Sequence, residues 1–251
     1  AAEALEVVAV LPLDLEHLAG QAGLLLGQGG VEVRAAALHG LFDLAGGDQP
    51  IGSEDGRYWA MQNGEIYNYP ELTAELQALG HVFRTRSDTE VLVHAYEQWG
   101  EGFLGRLNGE FAIAIWDREA RELLLARDRF GIRPLFLADL GGDVAFASEA
   151  SALLRHPAAE RRLDPFALVE TFTLWSVLPD RSAFPGIREL PAGHLVRIGE
   201  NGMGPLRRWW DLRFGPREGT RDEPVDALAE ELRGLLDDAT RIRLRADVPV
   251  G

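Results

Sequence analysis

EFAIAIWDREARELLLARD, residues 110–128, alternates apolar side chains, breaks at a polar run around Asp117–Arg121, and returns through a second apolar stretch. A period of two on both sides of a polar break predicts two antiparallel strands joined by a turn. PLFLADLGGDVAFAS (134–148) repeats the pattern around Gly-Gly-Asp. Two hairpins in tandem predict antiparallel sheet and argue against a βαβ array.

The flanking segments add helices and further strands. EVVAVLPL (6–13) reads as a buried strand, LAGQAGLLLGQGG (18–30) is Gly-rich and weakly patterned, and VEVRAAAL (31–38) fits strand or helix. GGDQPIGSEDG (46–56) has loop composition, and RYWAMQ (57–62) is a strand running into Asn63-Gly64. PELTAELQALG (70–80) opens on Pro and closes on Gly, so it carries its own helix boundaries. HVFRT (81–85) reads as a strand, and SDTEVLVHAYEQWG (87–100) as a helix capped by Ser87 or Asp88 and ended by Gly100. Short helices are predicted over 150–156 and 164–174, a hairpin over 186–202, an extended tail over 207–212 and a linker over 213–223. The run from 224 to 244 has apolar positions near 3.6 spacing and predicts a long helix.

Composition narrows the function classes. A net charge of -15 disfavours nucleic acid and anionic membrane as partners. No apolar run is long enough to span a bilayer, and a cytoplasmic location is expected. The chain has no cysteine, hence no thiolate ligand and no thiol nucleophile. Its six histidines (17, 39, 81, 94, 156, 194) show no HxxxH or HxH spacing, so no metal site is expected.

Three stretches carry chemistry. In MQNGEIYNYPEL (61–72), Asn-Gly at a strand end predicts a turn of positive φ with outward N–H groups. Such groups beside an amide side chain are the parts of an oxyanion hole. SDTE (87–90) reads as a helix cap with Asp88 in the first turn. In LARDRFGIRPLF (125–136), Arg127, Asp128, Arg129 and Arg133 bracket Phe130 and Ile132, giving apolar anchors inside a charged rim.

The order NGEIYNYPEL, RSDTEVLVHAYEQWG, RLNGEFAIAIWD, LARDRFGIRPLF, FASEASALL, GIRELPAGHLV and RWWDL closely resembles the glutaminase domain of glutamine-hydrolysing asparagine synthetases. That domain is a class II glutamine amidotransferase of N-terminal-nucleophile type. The resemblance implies a four-layer α/β/β/α sandwich over 1–212, a linker at 213–223, and the beginning of an ATP-binding synthetase domain over 224–251. It implies an oxyanion hole at Asn63 and Gly64, and anionic anchors for the α-amino group of glutamine at Glu65 and Asp88. It also implies an interdomain contact at Arg127, Asp128, Arg129, Phe130 and Arg133. Glutamine is the implied small-molecule partner, with a synthetase domain in cis or in trans and a head-to-tail homodimer. ATP and Mg belong to the synthetase domain only, so no cofactor is expected within these residues.

Two positions depart from the family pattern. The family opens Met-Cys-Gly-Ile, with the Cys as nucleophile and its own α-amine as base, whereas this sequence opens AAEALEVVAVLPL. The arginine that would bind the substrate α-carboxylate falls on Leu38. Neither glutamine hydrolysis nor tight ATP binding is therefore expected of these 251 residues. The alternative reading is a non-catalytic scaffold domain that supports an ATP-dependent synthetase or cyclase half, as in β-lactam synthetase-like or lasso-cyclase-like proteins. A third is that the first forty residues, where the resemblance fails, are not the native start.

Overall fold

A computed structural model of the chain describes residues 7–11, 34–35, 49–140, 143–199, 201–215 and 222–245. The Gly-rich run at 18–30, Leu38, residues 216–221 of the run expected as a linker and the last six residues lie outside the described residues.

Strand alternation builds two antiparallel sheets. The first is ordered β2 (Arg34–Ala35), β1 (Val7–Leu11), β8 (Asp143–Ala147), β7 (Phe136–Leu140) and β9 (Ile187–Glu189). The second is ordered β11 (Gly202–Met203), β10 (His194–Gly199), β6 (Glu122–Arg127), β5 (Gly109–Asp117), β4 (Tyr58–Ile66) and β3 (Ile51–Gly52), with β12 (Arg207–Arg208) also paired to β10.

Side-chain parity decides what each sheet faces, because neighbours along a strand point to opposite sides. Ala112, Ala114 and Trp116 of β5 and Leu123 and Leu125 of β6 pack with Leu137, Val144 and Phe146 of the other sheet. Phe111, Ile113, Ile115, Leu124 and Ala126 turn the other way and pack with Leu72, Leu76, Val91, Leu92 and Ala95. Those residues belong to α1 (Tyr69–Ala78) and α2 (Asp88–Trp99). On the far side of the first sheet, Ala138, Leu140, Ala145 and Ala147 meet Ala152 and Leu153 of α3 (Ala150–Leu153). The order of layers is therefore α/β/β/α, as the resemblance implies. Each fully buried Leu, Ile or Phe in these layers contributes roughly 1.5–3 kcal/mol of transfer free energy.

Helix ends follow the local chemistry. Ser87 Oγ accepts from the Thr89 N–H at 3.2 Å, and Gly100 closes α2 with φ +53°. α4 (Pro165–Leu174) starts on Asp164, which accepts from the Phe166 N–H at 2.8 Å. α5 (Val225–Arg243) forms where the long amphipathic run predicts it, yet none of its residues is buried. No described helix is long and apolar enough to cross a membrane.

The structure corrects five expectations. Asn63-Gly64 is not a turn: β4 runs straight through it, with Asn63 opposite Ala112 and Gly64 opposite Phe111. The segment 81–85 is not a strand, because its Arg84 and Thr85 N–H groups bond to the Glu90 carboxylate instead of a neighbouring strand. The loop at 46–56 carries the short strand β3. The hairpin expected over 186–202 is divided: β9 pairs with β7 in one sheet, while β10 pairs with β6 in the other. The two tandem hairpins also belong to opposite sheets, the connection after β6 carrying the chain across.

Candidate functional site

Asn63 and Gly64 sit within a strand, and glycine is what allows it. Gly64 has φ +135°, and a Cβ there would lie 2.0 Å from the Glu110 carbonyl oxygen and 2.8 Å from Phe111 Cα. Across the pair, a Cβ on Gly109 would lie 2.2 Å from the Glu65 carbonyl oxygen. Two glycines thus let the β4 and β5 backbones approach where a side chain would force them apart.

Asn63 opens onto a cleft between the two sheets, walled by Met61, Ala112, Ala114, Leu135, Phe146 and Ser148. The cleft is open to solvent on one side and encloses only about 20 Å³, room for little more than a water molecule. Its lining is mostly apolar, with Gln62 and Asn63 of β4 and Ser148 as its polar members.

Asp88 is buried at the start of α2. Its Oδ2 accepts from the Ile66 N–H at 2.9 Å and from Gln62 Nε2 at 2.7 Å. Burial pushes its pKa up to about 6, against the pull of those hydrogen bonds. Glu65 stands directly opposite Glu110 on β5. Burial first, then the charges of Asp88 and Glu110, raises the Glu65 pKa. A like-charge cross-strand pair is unfavourable by itself, and Arg133 offsets it through a 2.6 Å contact with Glu110. The end of β4 is therefore an acidic corner, with Asp88, Glu65 and Glu110 within electrostatic reach of one another.

Gln62 is a residue that sequence reasoning missed. It is buried, its Nε2 bridges Asp88 and Thr89 Oγ1 (3.1 Å), and its Oε1 has no partner among the described residues. The available signal was a buried-face amide between Ala60 and Ile66 on an otherwise apolar strand face. Glu110, the cross-strand neighbour of Glu65, was also missed, because register decides it.

The loop after β6 divides by burial. Arg127 is buried and donates to the carbonyls of Arg133, Leu190 and Gly131, each at 2.7 Å, while pairing with Glu189 at 2.8 Å. Asp128 is buried and accepts from the N–H groups of Phe130, Ile132 and Arg133 at 2.9–3.1 Å. Arg129 donates to Leu107 O at 2.6 Å and lies over the Trp209 ring. These residues hold the loop in shape. Phe130 and Ile132 remain exposed at its tip, Phe130 resting edge-on against Trp210.

Comparison with known proteins identifies the family. The model of the glutamine amidotransferase domain family matches residues 32–210. Asparagine synthetase [glutamine-hydrolyzing] 3 of Bacillus subtilis strain 168 is 37% identical over 211 residues, covering 83% of this chain and 34% of the relative. Asparagine synthetase [glutamine-hydrolyzing] 2 of the same organism is 40% identical over 219 residues, covering 84% and 29% respectively. The chain thus spans about a third of the length of these curated relatives. Among solved structures, a glutamine phosphoribosylpyrophosphate amidotransferase from B. subtilis matches with a TM-score of 0.46 and 25% identity, over 64% of this chain and 32% of that one.

Proposed function

The chain belongs to the glutamine amidotransferase domain family, and on that premise we propose that the cleft beside Asn63 binds glutamine. Asn63 and the Gly64 N–H face the γ-carboxamide as an oxyanion hole. Glu65 and Asp88 hold the α-ammonium group. The observation that carries this reading is the acidic corner at the end of β4. Glu65 stands opposite Glu110, next to a buried Asp88. Arg133 already serves Glu110, which leaves Glu65 and Asp88 to take a ligand cation.

Within the 251 residues the site recognises glutamine and does not hydrolyse it, since no cysteine is present to form a thiolate. That absence favours a second reading as well: a scaffold domain that supports an ATP-dependent synthetase half, which would hold the ATP and Mg. Phe130 and Ile132, exposed on a loop fixed by Arg127 and Asp128, supply the contact to that half.

Calorimetry with L-glutamine tests the first reading. Binding that is lost in Asp88→Asn and Glu65→Gln, and absent for glutaramate (5-amino-5-oxopentanoate), which keeps the carboxamide and the carboxylate but lacks the α-ammonium, is the expected outcome. Equal affinity for glutamine and glutaramate would overturn it. Ammonia release from glutamine above the buffer blank would overturn the non-hydrolytic reading. For the contact, Phe130→Ala is expected to weaken association with a supplied synthetase half by about 1–3 kcal/mol with little change in melting temperature.

A further inference from the structure

Three side chains from two neighbouring segments meet on the outer helical layer. His81 lies just after α1, and His94 and Glu97 are neighbours one turn apart on α2. Glu97 Oε2 is 3.5 Å from His81 Nδ1 and 3.8 Å from His94 Nδ1. One donor atom from each of the three residues lies within 4.8 Å of the others.

The remaining ring nitrogens are turned toward oxygen atoms. His81 Nε2 bonds to Gln98 Oε1 at 3.0 Å, and His94 Nε2 faces Glu90 Oε1 at 3.7 Å. An acceptor on one nitrogen draws the imidazole proton there and leaves the other lone pair free. The lone pair that this frees on His94 belongs to Nδ1, which is buried and has no hydrogen-bond partner among the described residues. The His94 ring is itself only 3% exposed, so water does not readily satisfy that atom.

Charge and geometry then choose the ligand. Two imidazoles and one carboxylate form a mixed nitrogen–oxygen donor set of the kind that zinc-type ions take. Bonds of about 2.0–2.1 Å in a tetrahedron hold donors about 3.3 Å apart. The 3.5 and 3.8 Å spacings lie close to that, and the Glu97 side chain, 40% exposed, is free to rotate inward. Phe83 packs against the His94 ring at 4.5 Å and closes one side. The exposed side at Glu97 leaves room for a water as fourth ligand.

We propose that His81, His94 and Glu97 bind one divalent transition-metal ion of the zinc type, with Glu90 and Gln98 orienting the two rings. The ion would tie the segment after α1 to α2, the helix whose first residue is Asp88. This site is separate from the glutamine cleft and does not depend on that reading.

The test uses the full 251-residue chain stripped of metal with a chelator. Calorimetric titration with zinc chloride is expected to give one site per chain, and cobalt(II) the intense visible bands of a tetrahedral complex. Zinc at a hundredfold excess over Kd should shift the unfolding equilibrium about 100-fold toward the folded state, while magnesium leaves it unchanged. Glu97→Gln and His81→Asn alter side chains at or near the surface and should fold, each weakening zinc binding at least tenfold. His156→Asn should retain it. Absence of stoichiometric zinc binding in the unmodified chain would overturn the proposal, as would affinity unmoved by Glu97→Gln and His81→Asn.

Discussion

α2 and α5 are opposites in a way their sequences do not announce. α5 has the cleaner amphipathic stripe, yet none of its residues is buried, and Leu232, Leu235 and Leu236 are all more than half exposed. α2 carries Asp, Thr, Glu and His among its apolar residues, yet everything from Asp88 to Tyr96 is buried. An apolar stripe states that a helix can bury a face, and leaves the partner undetermined. Buried polar groups on a helix require that their partners have already been supplied, so they report on the tertiary environment more sharply.

The largest effect separating the two helices should come from Glu90→Ala. The Glu90 carboxylate accepts from the Arg84 N–H at 2.8 Å, the Thr85 N–H at 2.7 Å and Thr85 Oγ1 at 2.6 Å. Removing it leaves those donors unsatisfied beside a cavity, an expected loss of about 3–5 kcal/mol in urea unfolding. A loss below 1 kcal/mol would show that water replaces the carboxylate there.

pH should separate two carboxylates on the same helix. Burial opposes it, but the nearby His94 ring, 3.7 Å away, and the hydrogen bonds from Arg84 and Thr85 bring Glu90 down to about 2 from an ordinary value of 4.5. Its stabilisation is complete above pH 4.5 and lost as pH falls toward 2. Asp88 runs the other way, raised from 3.8 to about 6. The folded state holds its proton more tightly, so stability from this group declines as pH rises from about 4 to 6, by roughly 3 kcal/mol. Asp88→Asn, whose amide oxygen can still accept from Ile66 and Gln62, should therefore stabilise the chain by about 1–3 kcal/mol at pH 7. Urea midpoints at pH 7, 5 and 3 for both proteins check this. A variant less stable than the parent at pH 7 would show that the ionised carboxylate is favoured in place.

Smaller effects are expected at α5. Arg245 joins its C-terminal end to the domain, donating to Tyr67 O at 2.6 Å and to both oxygens of Glu71 at 2.6 and 2.7 Å. These groups are solvent-accessible, so Arg245→Ala should cost no more than about 1 kcal/mol. Leu232→Gln and Leu235→Gln should change stability by less than about 0.5 kcal/mol, since neither side chain is buried. A drop of 2 kcal/mol in thermal melts would mean that α5 packs in solution on a surface of this domain.

Much of the fold was legible before any coordinates. The hairpins β5–β6 and β7–β8, the helices α1, α2, α4 and α5 and the Ser87 cap follow from periodicity and end signals, which are local. The family was legible in the order of its motifs. The role of Gly64 was misread: an Asn-Gly pair signals a hairpin turn when nothing lies alongside, whereas here the close approach of β5 demands the missing Cβ in mid-strand. Residues 81–85 read as β by propensity, but the Glu90 carboxylate takes the N–H groups that a neighbouring strand would need.

Sequence alone determined which segments alternate, where helices begin and stop, that no thiol is present, and the ordered motifs that mark the family. Those are properties of short stretches, set by side-chain period and backbone preference within a few residues. Only the tertiary structure decided that β9 and β10 part into different sheets, and that Glu65 faces Glu110 across a strand pair. It alone brought Gln62 to Asp88, and His81 to His94 and Glu97. Each of these depends on register or on two elements meeting across a layer. The free energy of such meetings resides in contacts between residues that the chain holds apart, so no local pattern encodes them.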